Sequence, residues 1–104
     1  MSESLTLIGQ KNSIEIGKAK VVDHQGYKVA VFRAKEDEFY AIDDVCPHQA
    51  GPLSEGYLDG YNVRCPWHAW DFDVRTGACD TVDAMRIKTF KIKLDGDQIF
   101  LNNE

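Results

Sequence analysis

The sequence predicts an all-β domain of antiparallel hairpins interrupted by a loop-rich insert, and three observations lead there. Short runs of β-branched and aromatic residues recur, punctuated by Gly, Asp and Asn. No stretch keeps a helical period for three or four turns. Between about Asp44 and Asp83 lie all three prolines, all three cysteines, both tryptophans and two of the three histidines. Such a concentration between two sets of strands marks a segment that exists to hold something. At 104 residues the chain has room for one core and no second domain. It shows no repeat, no linker and no low-complexity stretch.

Residues 5–8 form a first strand, and Ile14 with Ile16 alternates against polar neighbours. Residues 18–22 lead to Gly26, after which residues 27–34 read as a strand rich in Val and Ala. The charged run Lys35-Glu36-Asp37-Glu38 is a turn, and residues 39–42 return as the partner strand. Within the insert, Trp70 and Phe72 fall two apart and begin another strand, packing as core. Beyond it, Phe90, Ile92 and Leu94 alternate with Lys91 and Lys93, the period of a half-buried strand. Asp95-Gly96 supplies the positive-φ residues of a tight turn, and residues 98–101 form the return strand. One domain over residues 1–104 is expected, its basal strands at about 1–43 and 84–104 and its insert at about 44–83.

The net charge of -5 argues against nucleic acid, which requires a basic face. A partner with a basic patch suits it better. Met1-Ser2-Glu3-Ser4 has no basic region and no long apolar core, so it does not read as a signal peptide. No stretch approaches the roughly 20 apolar residues that cross a bilayer. Three widely spaced cysteines in such a chain read as metal ligands or buried thiols, and a cytoplasmic location is expected.

The chemistry is carried by Cys46-Pro47-His48 and Cys65-Pro66-Trp67-His68, with sixteen residues between His48 and Cys65. Each segment offers one thiolate and one imidazole, two or three positions apart. Two such segments suit a dinuclear cluster in which one iron takes two thiolates and the other two imidazoles. The proline after each cysteine removes a backbone donor and stiffens the turn. Zinc also accepts two Cys and two His and would then serve only as a staple. Its usual spacings place like ligands together, however, whereas here the two types are mixed within each segment.

The pattern C-x-H-x16-C-x-x-H resembles the Rieske signature. Its context, Cys46-Pro47-His48-Gln49-Ala50-Gly51-Pro52-Leu53 and Cys65-Pro66-Trp67-His68-Ala69-Trp70-Asp71-Phe72-Asp73, is similar to Rieske ferredoxins. The resemblance implies the Rieske fold, an antiparallel β-sandwich-like base carrying a smaller cluster-binding subdomain. It implies one [2Fe–2S] cluster per chain, with Cys46, His48, Cys65 and His68 as ligands. Gln49, Ala50, Trp67 and Ala69 would flank the docking surface, with electrons leaving through the histidine-bound iron.

Respiratory-type members of that family carry a disulfide beside the cluster, and the corresponding positions here are Gly51 and Trp67. They also place hydroxyl donors after the second histidine, where this chain has Trp70 and Phe72. Without such hydrogen bonds to the cluster the potential is expected toward the lower end of the ~-150 to +300 mV Rieske range. The family's third loop commonly carries prolines, and residues 79–85 have none. Met85 is the apolar group available there.

Rieske oxygenases need a second iron held by two His and a carboxylate, and with His48 and His68 committed only His24 remains. No G-x-G-x-x-G is present for a nicotinamide. The chain is therefore expected to carry electrons and not to be an enzyme. The leading expectation is a monomeric ferredoxin between a flavoprotein reductase and a ring-hydroxylating terminal oxygenase. Two alternatives are the small Rieske subunit of a multi-subunit reductase, bound to its large subunit as in assimilatory nitrite reductase, and a non-redox zinc-binding interaction module.

The remaining residues have plainer readings. Cys79 is expected to be a buried thiol rather than a fifth ligand. His24, before Gln25-Gly26, reads as a solvated turn residue. Glu36, Asp37, Glu38, Asp43, Asp44, Asp71 and Asp73 read mainly as solvated surface.

Overall fold

Val29, Ala30, Val31 and Phe32 are consecutive and all 0% exposed. A strand with one wet face alternates apolar and polar residues, so an unbroken apolar run means a strand covered on both faces. That strand is the axis of the fold. The computed structural model describes residues 5–24, 26–44, 53–56, 58–64, 71–79 and 86–102.

Ten strands are present among the described residues: β1 (Leu5–Gln10), β2 (Ala19–His24), β3 (Tyr27–Lys35), β4 (Glu38–Asp43), β5 (Leu58–Asp59), β6 (Asn62–Arg64), β7 (Asp71–Asp73), β8 (Thr89–Phe90), β9 (Ile92–Asp95) and β10 (Gln98–Asn102). They form three antiparallel sheets, ordered β1-β10-β9, β2-β3-β4-β8 and β5-β6-β7. The second sheet lies between the other two. Val29 and Val31 of β3 pack with Phe39, Ala41, Ile14, Ile99 and Leu101, a core shared with β10. Ala30 and Phe32 point the other way, packing with Ile42, Leu53, Val63, Phe72, Val74, Cys79 and Ile87. The fold is all-β and antiparallel, as the sequence leads one to expect.

Three local expectations need correction. Ile14 and Ile16 do not alternate along a strand: Lys11–Ser13 is a 3-10 turn, Ile14 is buried and Ile16 is 59% exposed. The Arg33 guanidinium takes the Lys11 and Ile14 carbonyls at 3.2 and 3.1 Å, satisfying backbone groups that a strand would pair with a neighbour. The alternating run at Phe90, Ile92 and Leu94 is broken at Lys91. Before it, β8 pairs with β4; after it, β9 pairs with β10, so the chain steps from one sheet to the next. The following turn is Gly96-Asp97, with Gly96 at φ 59° and Asp95 closing the ladder opposite Gln98.

Candidate metal centre

The predicted ligands Cys46, His48, Cys65 and His68 lie outside the described residues, as do the predicted docking residues Gln49, Ala50, Trp67 and Ala69. Met85 lies outside them too. The described residues define the flanks of the segments 45–52, 65–70 and 80–85.

The first pair of flanks is closed by Asp44. Its carbonyl accepts the Leu53 N–H at 2.7 Å, and its side-chain Oδ1 accepts the Ser54 N–H at 2.6 Å. Asp44 donates its own N–H to the Lys28 carbonyl at 2.7 Å, tying this root to β3. The second pair is closed by Arg64 and Asp71. They are opposite one another in the β6–β7 register, and the guanidinium reaches the carboxylate at 2.9 and 3.5 Å. Arg64 is exposed, so solvent screens this ion pair and its contribution is geometric. The third pair is closed by bridges between Phe72 and Cys79 and between Ala78 and Arg86.

These flanks converge. Leu53–Glu55 is a 3-10 turn lying against β2 and β3, and Gly56 follows it. A Cβ on Gly56 would stand 2.0 Å from the Arg64 carbonyl oxygen, so the exit of the first segment touches the entry of the second. Gly77, at φ 80°, approaches the Ile87 carbonyl as closely, and Ile87 returns its N–H to the Gly77 carbonyl at 2.8 Å. Leu53, Val63, Phe72, Cys79 and Ile87 form one buried cluster beneath all three pairs. Segments bearing two thiols and two imidazoles thus start and end on one patch of the fold. That juxtaposition and that donor set fit a group needing four ligands from two loops. Among the described residues no group of three His, Cys, Asp or Glu could hold a metal ion.

Cys79 is 4% exposed and belongs to this core, in keeping with a thiol used as a small apolar group. Phe72 is core as well. His24 is not the solvated residue its position suggests: it is 5% exposed, edge-on to Phe90 at 5.9 Å. Tyr27 meets the same ring at 5.6 Å, and the Lys88 ammonium stands over Tyr27 at 4.5 Å. Gly26 does sit in a turn, at φ 85°, but Phe90 arrives from the far end of the chain to cover His24.

Several acidic residues are likewise engaged rather than merely solvated. Asp44 is 8% exposed. Glu38 accepts hydrogen bonds from Tyr40 at 3.2 Å and from Tyr61 at 3.1 Å, joining β4 to the β5–β6 turn. The two tyrosine rings meet edge-on at 5.8 Å, and the Arg75 guanidinium lies over Tyr61 at 4.2 Å. Burial, then the Glu38 carboxylate, pushes the Tyr40 phenol above its ordinary value. The hydrogen bond from Arg75 holds the Asp73 carboxyl below the usual carboxylate range. Sequence reasoning missed the Asp44 and Glu38 contacts; only the position of Asp44 just before Cys46 hinted at the first.

Residues 4–91 match the Rieske [2Fe–2S] domain, a span that includes the four predicted ligands. The ferredoxin component of the p-cumate 2,3-dioxygenase system of Pseudomonas putida is 40% identical over 79 residues, covering 74% of this chain and 66% of that protein. Among solved structures, the ferredoxin of carbazole 1,9a-dioxygenase from Nocardioides aromaticivorans IC177 is 26% identical with a TM-score of 0.89, covering 97% of this chain and 99% of that one. A chain in a complex of reduced oxygenase and oxidised ferredoxin in carbazole 1,9a-dioxygenase is 27% identical with a TM-score of 0.86, covering 99% of this chain and 96% of that one.

Proposed function

The chain belongs to the Rieske [2Fe–2S] domain family, and on that premise we propose that it is a one-electron carrier between a flavoprotein reductase and a ring-hydroxylating terminal oxygenase. Cys46, His48, Cys65 and His68 would hold a single [2Fe–2S] cluster, their two thiolates and two imidazoles supplying its protein ligands. The bound cluster supplies a one-electron couple near the lower end of the family's potential range. Everything else falls to the protein. Asp44 and the Arg64–Asp71 pair fix the roots of the two ligand segments, and the buried Leu53, Val63 and Phe72 support them from below. The residues at about 44–83 form the cluster-binding subdomain and those at about 1–43 and 84–104 its base. Gln49, Ala50, Trp67 and Ala69 form the docking face. The carrier works as a monomer in the cytoplasm, without transforming a substrate of its own.

The observation that supports this reading is the close approach of Gly56 to the Arg64 carbonyl, which brings the flank following the first predicted ligand segment against the flank preceding the second. The relatives add the partner class, since those named above are ferredoxins of dioxygenase systems and one was captured with its oxygenase. Among the described residues no helix is long and apolar enough to cross a membrane. The test is a reductive titration followed by mixing with the oxidised terminal oxygenase of a ring-hydroxylating system. Uptake of about one electron per chain, and its delivery to the oxygenase, is expected. A chain that takes up no electron, or that cannot pass one on, contradicts the proposal.

A further inference from the structure

Asp44 is a carboxylate 8% exposed at the root of the segment that carries Cys46 and His48. It is held at three points, by the N–H groups of Leu53 and Ser54 and by the carbonyl of Lys28. Burying a charge is costly unless it is paired. Lys28 pairs its ammonium with Asp23 at 2.8 Å and acts on Asp44 only through space, and among the described residues no Lys or Arg stands within ion-pair distance of the Asp44 carboxylate. An asparagine would accept the same Ser54 N–H through its own Oδ1. What the carboxylate adds over the amide is negative charge.

We propose that Asp44 is a potential-setting residue, a fixed buried negative charge that favours the oxidised state of the cluster and lowers its midpoint potential. The inference rests on the carrier reading above. A negative charge in a poorly screened site stabilises the more positive state of a neighbouring redox centre, and burial keeps salt from cancelling the effect. The same side chain therefore does two separable things: its oxygen closes the segment root, and its charge sets the potential.

The separation is testable in the iron-loaded protein. Asp44→Asn keeps the acceptor and removes the charge, Asp44→Ala removes both, and Asp37→Asn removes an exposed charge paired with Lys11 at the β3–β4 turn. Midpoint potentials come from a mediated redox titration followed by visible absorbance at low and high salt. Asp44→Asn should retain its iron and titrate at a higher potential than wild type, by a shift that survives high salt. Asp37→Asn should titrate with wild type, and Asp44→Ala should lose iron. A wild-type midpoint in Asp44→Asn overturns the proposal. So does loss of iron in Asp44→Asn equal to that in Asp44→Ala, because the charge would then be structural. A wild-type chain that never holds iron would instead remove the carrier reading itself.

Discussion

Cys46 and Cys79 are chemically the same group placed in different surroundings. Cys79 sits 4% exposed among Phe72, Val74 and Ile87, where a thiol acts as an apolar filler. Cys46 belongs to a mixed Cys/His segment whose flanks are bonded together by Asp44. Cys46→Ser should therefore abolish the cluster's visible absorbance. Cys79→Ser should keep it, with a lowered melting temperature because a smaller and more polar group replaces the buried thiol. Iron content and thermal melting of both variants check this, and a colourless but folded Cys79→Ser would give Cys79 a role at the metal. The proposed ligand set rests on spacing alone, because Cys-x-His and Cys-x-x-His announce themselves within a few residues. His24 and Asp44 were not legible: their burial depends on Phe90 and on the turn after residue 52, contacts that no local pattern encodes.

Between elements, two glycines do work that no side chain could share. Gly77 combines φ 80° with a contact in which a Cβ would meet the Ile87 carbonyl. The backbone conformation alone costs a substituted residue roughly 1–3 kcal/mol, and the steric displacement adds to it. Gly56→Ala would part the 3-10 turn from the end of β6. The expected results are a lowered melting temperature for Gly77→Ala and a loss of iron retention for Gly56→Ala that exceeds its loss of stability. An unchanged iron content in a folded Gly56→Ala would show that this contact does not set the spacing of the ligand segments. Hairpins were read correctly where strand period and turn residues agreed, as at residues 27–42. The alternation through Phe90 and Leu94 misled, because period two persists while the chain changes sheets at Lys91. Periodicity reports which way side chains face and is silent on which strand lies alongside.

At the scale of the molecule, β3 contributes to both cores, Val29 and Val31 to one and Ala30 and Phe32 to the other. Two cores that share a strand should unfold together. Phe32→Ala, expected to cost about 3–5 kcal/mol, should lower a single transition in which circular dichroism and visible absorbance are lost at one temperature. Separate transitions would mean that the ligand-bearing half folds by itself. The all-β class was legible because β-branched runs and turn residues recur along the whole chain, whereas the three-layer order emerges only when β3 is seen covered on both faces. Whether this fold holds a Rieske cluster is decided by visible and EPR spectra of anaerobically purified protein before and after dithionite, with iron and zinc assayed on the same sample. About two irons per chain and a reduced signal with the low average g of mixed nitrogen and sulfur ligation are expected. A colourless protein with stoichiometric zinc and no iron would contradict the cluster assignment.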